Sequence, residues 1–161
     1  MTPPPASTLK ASATVPLLYR VLLLYLEPLF ALGGVALILL RPEQYLTTMT
    51  RGAVASLGAP QADFIHTQLA GGWLHFAWTE AIMLRLVDDL RVWKLLCMGM
   101  LLSDAFYTHS MAQGLGGWGE WVQVAKWTAE DWAVTITTLP FFLVRLCIVL
   151  GIGLKSTPKR A

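Results

Sequence analysis

The sequence predicts an all-α protein, a transmembrane four-helix bundle. Three observations carry this expectation. Hydrophobic residues make up 55% of the 161 and charged residues only 14%, where soluble domains carry about a quarter. The charges are unevenly placed, with long windows holding one or none and the rest clustered between them. Those windows have the length, roughly 20 residues, that a helix needs to cross the hydrocarbon core of a bilayer.

The length fits one domain. A net charge of +2 with no basic stripe argues against a nucleic-acid partner. Cys97 and Cys147 stand alone in apolar segments and form no CxxC, so they read as small buried hydrophobes.

Residues 1–16, MTPPPASTLKASATVP, are rich in Pro, Ser and Thr and are expected to form a disordered N-terminal tail. The first span covers residues 17–40. It is too long for a signal-peptide core and lacks a small-x-small cleavage site, so it is expected to be retained. Pro28 should kink it and free a backbone carbonyl about one turn earlier. Arg41-Pro42 ends that span, and residues 41–63 read as a polar loop. The second span runs from about 65 to 87 and carries His66, Trp73, His75, Trp78 and Glu80. Near its end Arg85 precedes Asp88 and Asp89 by three and four residues, the spacing of helical ion pairs.

The third span, about 93–115, has Asp104 near its centre and His109 further on. The next stretch, GLGGWGEWVQVAKWTAED, has another texture. Its Trp118, Trp121 and Trp127, with Trp132 just after, are expected at the headgroup level as an interfacial belt, with a surface-lying helix or a lid as alternatives. The fourth span, about 132–154, is broken by Pro140 and carries Arg145. Residues 155–161 form a basic C-terminal tail, which leaves 17–154 as a single membrane domain. The Lys and Arg bias of the short flanks favours both termini in the cytoplasm, and the endoplasmic reticulum is the expected membrane.

One regularity links the spans. Glu27, Glu80, Asp104 and Arg145 each lie near the middle of a different span. A charge there costs on the order of 2.5–3.5 kcal/mol on insertion scales, so the four are expected to point inward and pair. Three acids and one arginine do not balance, so at least one carboxyl should carry a proton. The plainer reading is a polar glue in which Arg145 clamps two carboxylates and locks the helices together. The functional reading is an acid/base centre of the sort that protonates an alkene or epoxide. Glu80 and Asp104 would be its acid/base pair, Glu27 a third carboxyl, and Arg145 the charge that sets their protonation. Trp73, Phe76, Trp78 and Tyr107 are the candidate substrate-binding residues, offering aromatic faces to a cationic intermediate.

The histidines offer one deep member, His75, with no partner at equal depth, so haem ligation is poorly supported. No zinc-protease helix motif, serine nucleophile motif or phosphate loop occurs, and no cofactor or metal is expected.

The segment EAIMLRLVDDLRVWKLL, followed by Leu101-Leu102-Ser103-Asp104, is similar to the central hairpin of a family of small fungal four-span membrane proteins of unknown function. Leu26-Glu27-Pro28, Arg41-Pro42 followed by Tyr45-Leu46, and the stretch from Trp127 to Trp132 are further matches, so the resemblance covers about residues 17–154. Thr79 and Ala133 stand where the family pattern leads one to expect asparagine, and roles resting on those amides do not carry over. The resemblance implies four spans, a fungal source and a place in secondary metabolism. There is a looser likeness in design to membrane terpene cyclases and to sterol isomerases of the emopamil-binding type, with no catalytic residue transferred.

The expected function is therefore an intramembrane isomerase or cyclase acting on a lipophilic, terpenoid or polyketide-derived intermediate. The alternative is a non-catalytic scaffold or carrier for partner biosynthetic enzymes. The expected partners are the lipid bilayer, a hydrophobic small molecule and other membrane enzymes.

Overall fold

The computed structural model describes residues 9–54 and 60–155. Seven helices and no strand occur among them. They are α1 (Ala11–Thr14), α2 (Leu17–Leu40), α3 (Pro42–Thr50), α4 (residues 63–86), α5 (Leu90–Gly114), α6 (Trp118–Trp121) and α7 (Ala129–Leu150). Two short 3₁₀ turns, Pro60–Ala62 and Val124–Lys126, link them. α2 and α4 pack along each other over most of their length, and α5 packs on α7. Of these, α2 and α7 are long and apolar enough to cross a bilayer on length and composition.

The core is small for such an apolar chain. One cluster gathers Leu23, Leu84, Trp93, Cys97, Phe141, Val144 and Ile148, and a second joins Ile38, Tyr45 and Ala70. Elsewhere the helices turn large apolar side chains outward, among them Leu29, Leu40, Phe64, Leu86, Leu102 and Phe106. A surface of that kind needs an apolar environment to cover it.

α2 and α4 are each widened by one π turn, Leu22–Leu26 and Thr79–Met83, and the two turns pack against each other. The cause in α2 is visible in the sequence. Pro28 has no N–H to give the Leu24 carbonyl four residues earlier, and a π turn absorbs the misfit. The freed carbonyl is taken by Arg85, whose Nη2 donates to it at 2.5 Å while the guanidinium lies 4.3 Å from the centre of the Tyr25 ring. This corrects the expected pairing of Arg85 with Asp88 and Asp89. α4 ends before those residues, and both carboxylates have other duties. Asp89 caps α5, accepting from the Arg91 N–H at 2.7 Å.

Asp88 binds the N-terminal segment instead, accepting from the Ser12 N–H at 2.7 Å and the Ser12 hydroxyl at 2.8 Å. These bonds hold its carboxyl below the usual carboxylate value. The disordered tail expected over residues 1–16 is thus ordered from residue 9 on. Ala11 and Val15 are buried in the larger core cluster, the Leu90 N–H donates to the Leu9 carbonyl at 2.9 Å, and the Lys155 N–H donates to that of Thr14 at 2.8 Å. Residues 1–8, and 156–161 of the basic tail, lie outside the described part of the chain.

α7 is broken as its proline requires. Helix runs over Ala129–Ile136 and Leu139–Leu150, with Thr137 and Thr138 between. Pro140 leaves the Ile136 carbonyl without a helical donor, and the two threonine hydroxyls bond the Ala133 and Val134 carbonyls at 2.9 Å each.

Candidate functional site: a carboxylate floor under an aromatic cavity

The four residues singled out by their shared depth meet at one point. Arg145, on α7, is fully buried. Its Nη1 donates to Asp104 Oδ2 of α5 at 2.6 Å, and its Nη2 donates to Glu80 Oε1 of α4 at 2.8 Å. The same Nη2 also donates to Glu27 Oε1 of α2. Each long helix contributes one member. The two π turns help to place them, since Glu80 lies within one and Glu27 directly follows the other. The Arg145 guanidinium lies over the Phe76 ring, 5.2 Å from its centre.

The three carboxylates differ in what they face. Glu27 and Asp104 line a cavity of about 470 Å³, whereas Glu80 is sealed behind them with no exposure. Glu27 Oε2, Glu80 Oε2 and Arg145 Nε are buried without a hydrogen-bond partner among the described residues. Unsatisfied buried polar atoms are rare, and here three lie at one point.

The cavity walls are aromatic. Trp73 of α4 stands edge-on between Tyr45 and Tyr107, at 5.5 and 6.5 Å between ring centres. A methyl at Gly34 of α2 would overlap the Trp73 indole, so the absent side chain is what lets Trp73 lie against α2. Phe30, Phe76 and Phe106 are among the further apolar lining residues, and Ser103 and Thr138 add polar atoms. Tyr45 comes from α3, which closes one end of the space together with Thr48 and Met49. Burial pushes the Tyr45 phenol up to about 12, so it stays a neutral hydroxyl.

α3 is held in place at its far end. Arg51 takes a left-handed backbone conformation (φ 50°) that ends the helix, and its Nε and Nη2 reach Asp131 Oδ2 at 3.0 and 2.6 Å. Asp131 also completes a capping box with Thr128 at the start of α7. The roof of the cavity is thereby tied to the helix that carries Arg145.

Of the predicted substrate-binding residues, Trp73, Phe76 and Tyr107 line the cavity. Trp78 does not, and this is a correction. It lies five residues beyond Trp73, about 140° around the helix at 100° per residue, and is 52% exposed on the outer surface. His75 is likewise exposed, and His109 accepts from the Trp118 indole N–H at 3.1 Å. The tryptophans of the α5–α7 connection form a continuous chain, Trp118–Trp121–Trp127–Trp132, with ring centres 4.9–5.9 Å apart, edge-on in the first and last pairs and tilted in the middle one. They stay outside the cavity lining.

Sequence reasoning missed Phe30, Gly34, Tyr45 and Thr138. Three of them had a signal: Phe30 and Gly34 follow Glu27 by three and seven residues, and Thr138 precedes Arg145 by seven, so each shares a helical face with a cluster member. Tyr45 had no signal from periodicity, because α3 lies outside the spans whose periodicity was informative; it appeared only in the family resemblance.

The family that matches residues 12–155 is described as a domain of unknown function (DUF7704). The chain belongs to this family. The match agrees with the expectation of an uncharacterised family covering nearly the whole chain. No curated protein and no solved structure matches it. Within this DUF7704 chain, the match runs from the N-terminal strap at Ser12 to Lys155 and contains all four cluster residues and the described cavity walls.

Proposed function

We propose that this chain is a four-span membrane protein that isomerises or cyclises a lipophilic terpenoid or polyketide-derived intermediate by proton transfer. Its setting would be the endoplasmic reticulum of a fungus, with both termini cytoplasmic and the reaction part of secondary metabolism. Support for four spans comes from the outward apolar side chains on α4 and α5 as well as α2 and α7. A second support is that Glu80 and Asp104, the acids in the interior of α4 and α5, are each paired internally with Arg145. The observation that carries the catalytic part is the position of Glu27 and Asp104 at the floor of an aromatic cavity of about 470 Å³.

Three carboxylates and one guanidinium sum to a charge of −2, so a proton on the cluster brings it nearer neutrality. Glu27 and Glu80 share the Arg145 Nη2, and each keeps one unpartnered oxygen, which a proton on either would supply with a donor. With the proton on Glu27, the member that faces the cavity, that residue presents a carboxylic acid, and Asp104, held on Arg145 Nη1, presents a carboxylate. The proton from Glu27 adds to one carbon of an alkene, and Asp104 removes a proton from a neighbouring carbon of the resulting cation. A new double bond forms, or a ring closes before the proton leaves; Asp104 then releases its proton to solvent, Glu27 takes one up, and the net change is an isomerisation needing no oxidant or reductant. The faces of Trp73, Phe76 and Tyr107 lower the energy of the cation in between. The acid/base pair expected from sequence, Glu80 and Asp104, becomes Glu27 and Asp104, with Glu80 as the charge behind them.

The test compares metabolite profiles of a strain lacking this gene with strains carrying wild type, Glu27→Gln or Asp104→Asn at equal protein abundance. Each single substitution should reproduce the null profile, with one apolar precursor accumulating in place of an isomer of equal mass. If both variants restore the wild-type profile, the catalytic role is wrong. The rival is a scaffold or carrier for partner enzymes. It would be favoured where the substitutions lower abundance or partner co-purification and leave conversion per molecule unchanged.

A further inference from the structure

The cavity that would stabilise a transient cation should hold a permanent one better. We propose that it binds lipophilic amines in their ammonium form, with the nitrogen at Glu27 and Asp104 and the hydrocarbon body between Trp73, Phe76 and Tyr107. This inference rests on the proton-transfer reading of the same floor and deepens it by naming a ligand class.

Three independent features point to a cation with an apolar body. Arg145 is the only positive side chain at the floor among the described residues and already donates to all three carboxylates, which leaves the cluster net negative even with one carboxyl protonated. Glu27 Oε2 and Glu80 Oε2 are buried and lack donors, and an ammonium N–H offers one to Glu27, the member that faces the cavity. The walls add aromatic faces, which attract a cation through the ring quadrupole, most strongly where water is excluded. A neutral molecule of the same shape gains only the contact with the walls. A carboxylate or phosphate ligand would meet Glu27 and Asp104 as like charges. An amine of this kind resembles the cationic intermediate in charge and shape, and such mimics bind more tightly than substrates.

The test uses the full chain in nanodiscs of neutral phosphatidylcholine, where the bilayer itself carries no net charge. The probes are N,N-dimethylfarnesylamine and its uncharged isostere with CH in place of the nitrogen. Binding is read by displacement of radiolabelled amine. The amine should bind at least about tenfold more tightly than the isostere. Glu27→Gln and Asp104→Asn should each weaken the amine by about tenfold and leave the isostere unchanged, while Trp78→Phe changes neither. Equal affinity of amine and isostere for the wild-type chain would overturn the proposal, and that comparison needs no variant to fold. Tight amine binding in a protein whose Glu27→Gln and Asp104→Asn forms still restore the metabolite profile would keep the binding site and sink the catalytic reading. Catalysis without amine preference would do the reverse.

Discussion

Arg145 is the residue on which the interior depends. It sits at no exposure and satisfies one oxygen on each of three carboxylates from three helices. Arg145→Met would leave those carboxylates buried without a counter-charge, and breaking a buried pair in this way costs about 3–5 kcal/mol. Arg145→Lys should recover little, because an ammonium is a point charge that cannot reach three acceptors spread around a planar fork. Thermal unfolding in detergent, together with yield per cell, checks both. A Lys variant as stable as wild type would show that the fork geometry is unimportant. The depth regularity made this cluster legible in the sequence: four charges, each near the middle of a long helix, are expected to meet and pair. What the sequence left open was which carboxylates would face the cavity. Glu80 shares a helical face with Trp73 and Phe76, yet it ends up behind the guanidinium, because its position depends on the π turn Thr79–Met83. Counting residues at 100° each does not detect a π turn.

At the level of the helices, prolines explain most of the departures from regularity. Pro140 predicts the break at Thr137–Thr138, and Pro28 predicts a free carbonyl one turn earlier, found at Leu24. The partner of that carbonyl was not predictable, since Arg85 has two acids at ideal helical spacing downstream. Those acids are drawn off by a helix start and by Ser12, tertiary contacts that helical spacing does not encode. Arg85→Ala should therefore destabilise the wild-type chain by about 1 kcal/mol, the net worth of a typical hydrogen bond. In a Pro28→Ala background the Leu24 carbonyl regains a helical donor, and Arg85→Ala should then cost measurably less. A double-mutant cycle by denaturant titration measures this coupling. Additive effects would mean that Arg85 serves some purpose other than the freed carbonyl. The strap over residues 9–16 was missed for a related reason. Its Pro, Ser and Thr content signals disorder locally, while Ala11 and Val15 gain their burial only from helices far along the chain.

For the whole molecule, the all-helical architecture followed directly from the apolar windows, and their boundaries fall close to those of α2, α4, α5 and α7. The cavity did not follow from them. It forms where α2, α4, α5 and α7 part around the cluster and is roofed by α3, a helix inside what reads as a loop. Its tie through Arg51 and Asp131 spans 80 positions, beyond the reach of any local pattern. Charge, cavity and aromatic walls meet at one site, and the proposed reading is that a proton is delivered there to an apolar molecule. The decisive measurement is solvent deuterium incorporation. Membranes containing the protein are incubated in deuterium oxide with the precursor that accumulates in the null strain, and the product is read by mass spectrometry. The expected product is an isomer carrying one deuterium at the newly saturated carbon, formed by wild type and lost with Glu27→Gln or Asp104→Asn at equal abundance. A product formed without deuterium, or formed equally by both variants, would contradict proton transfer from this floor.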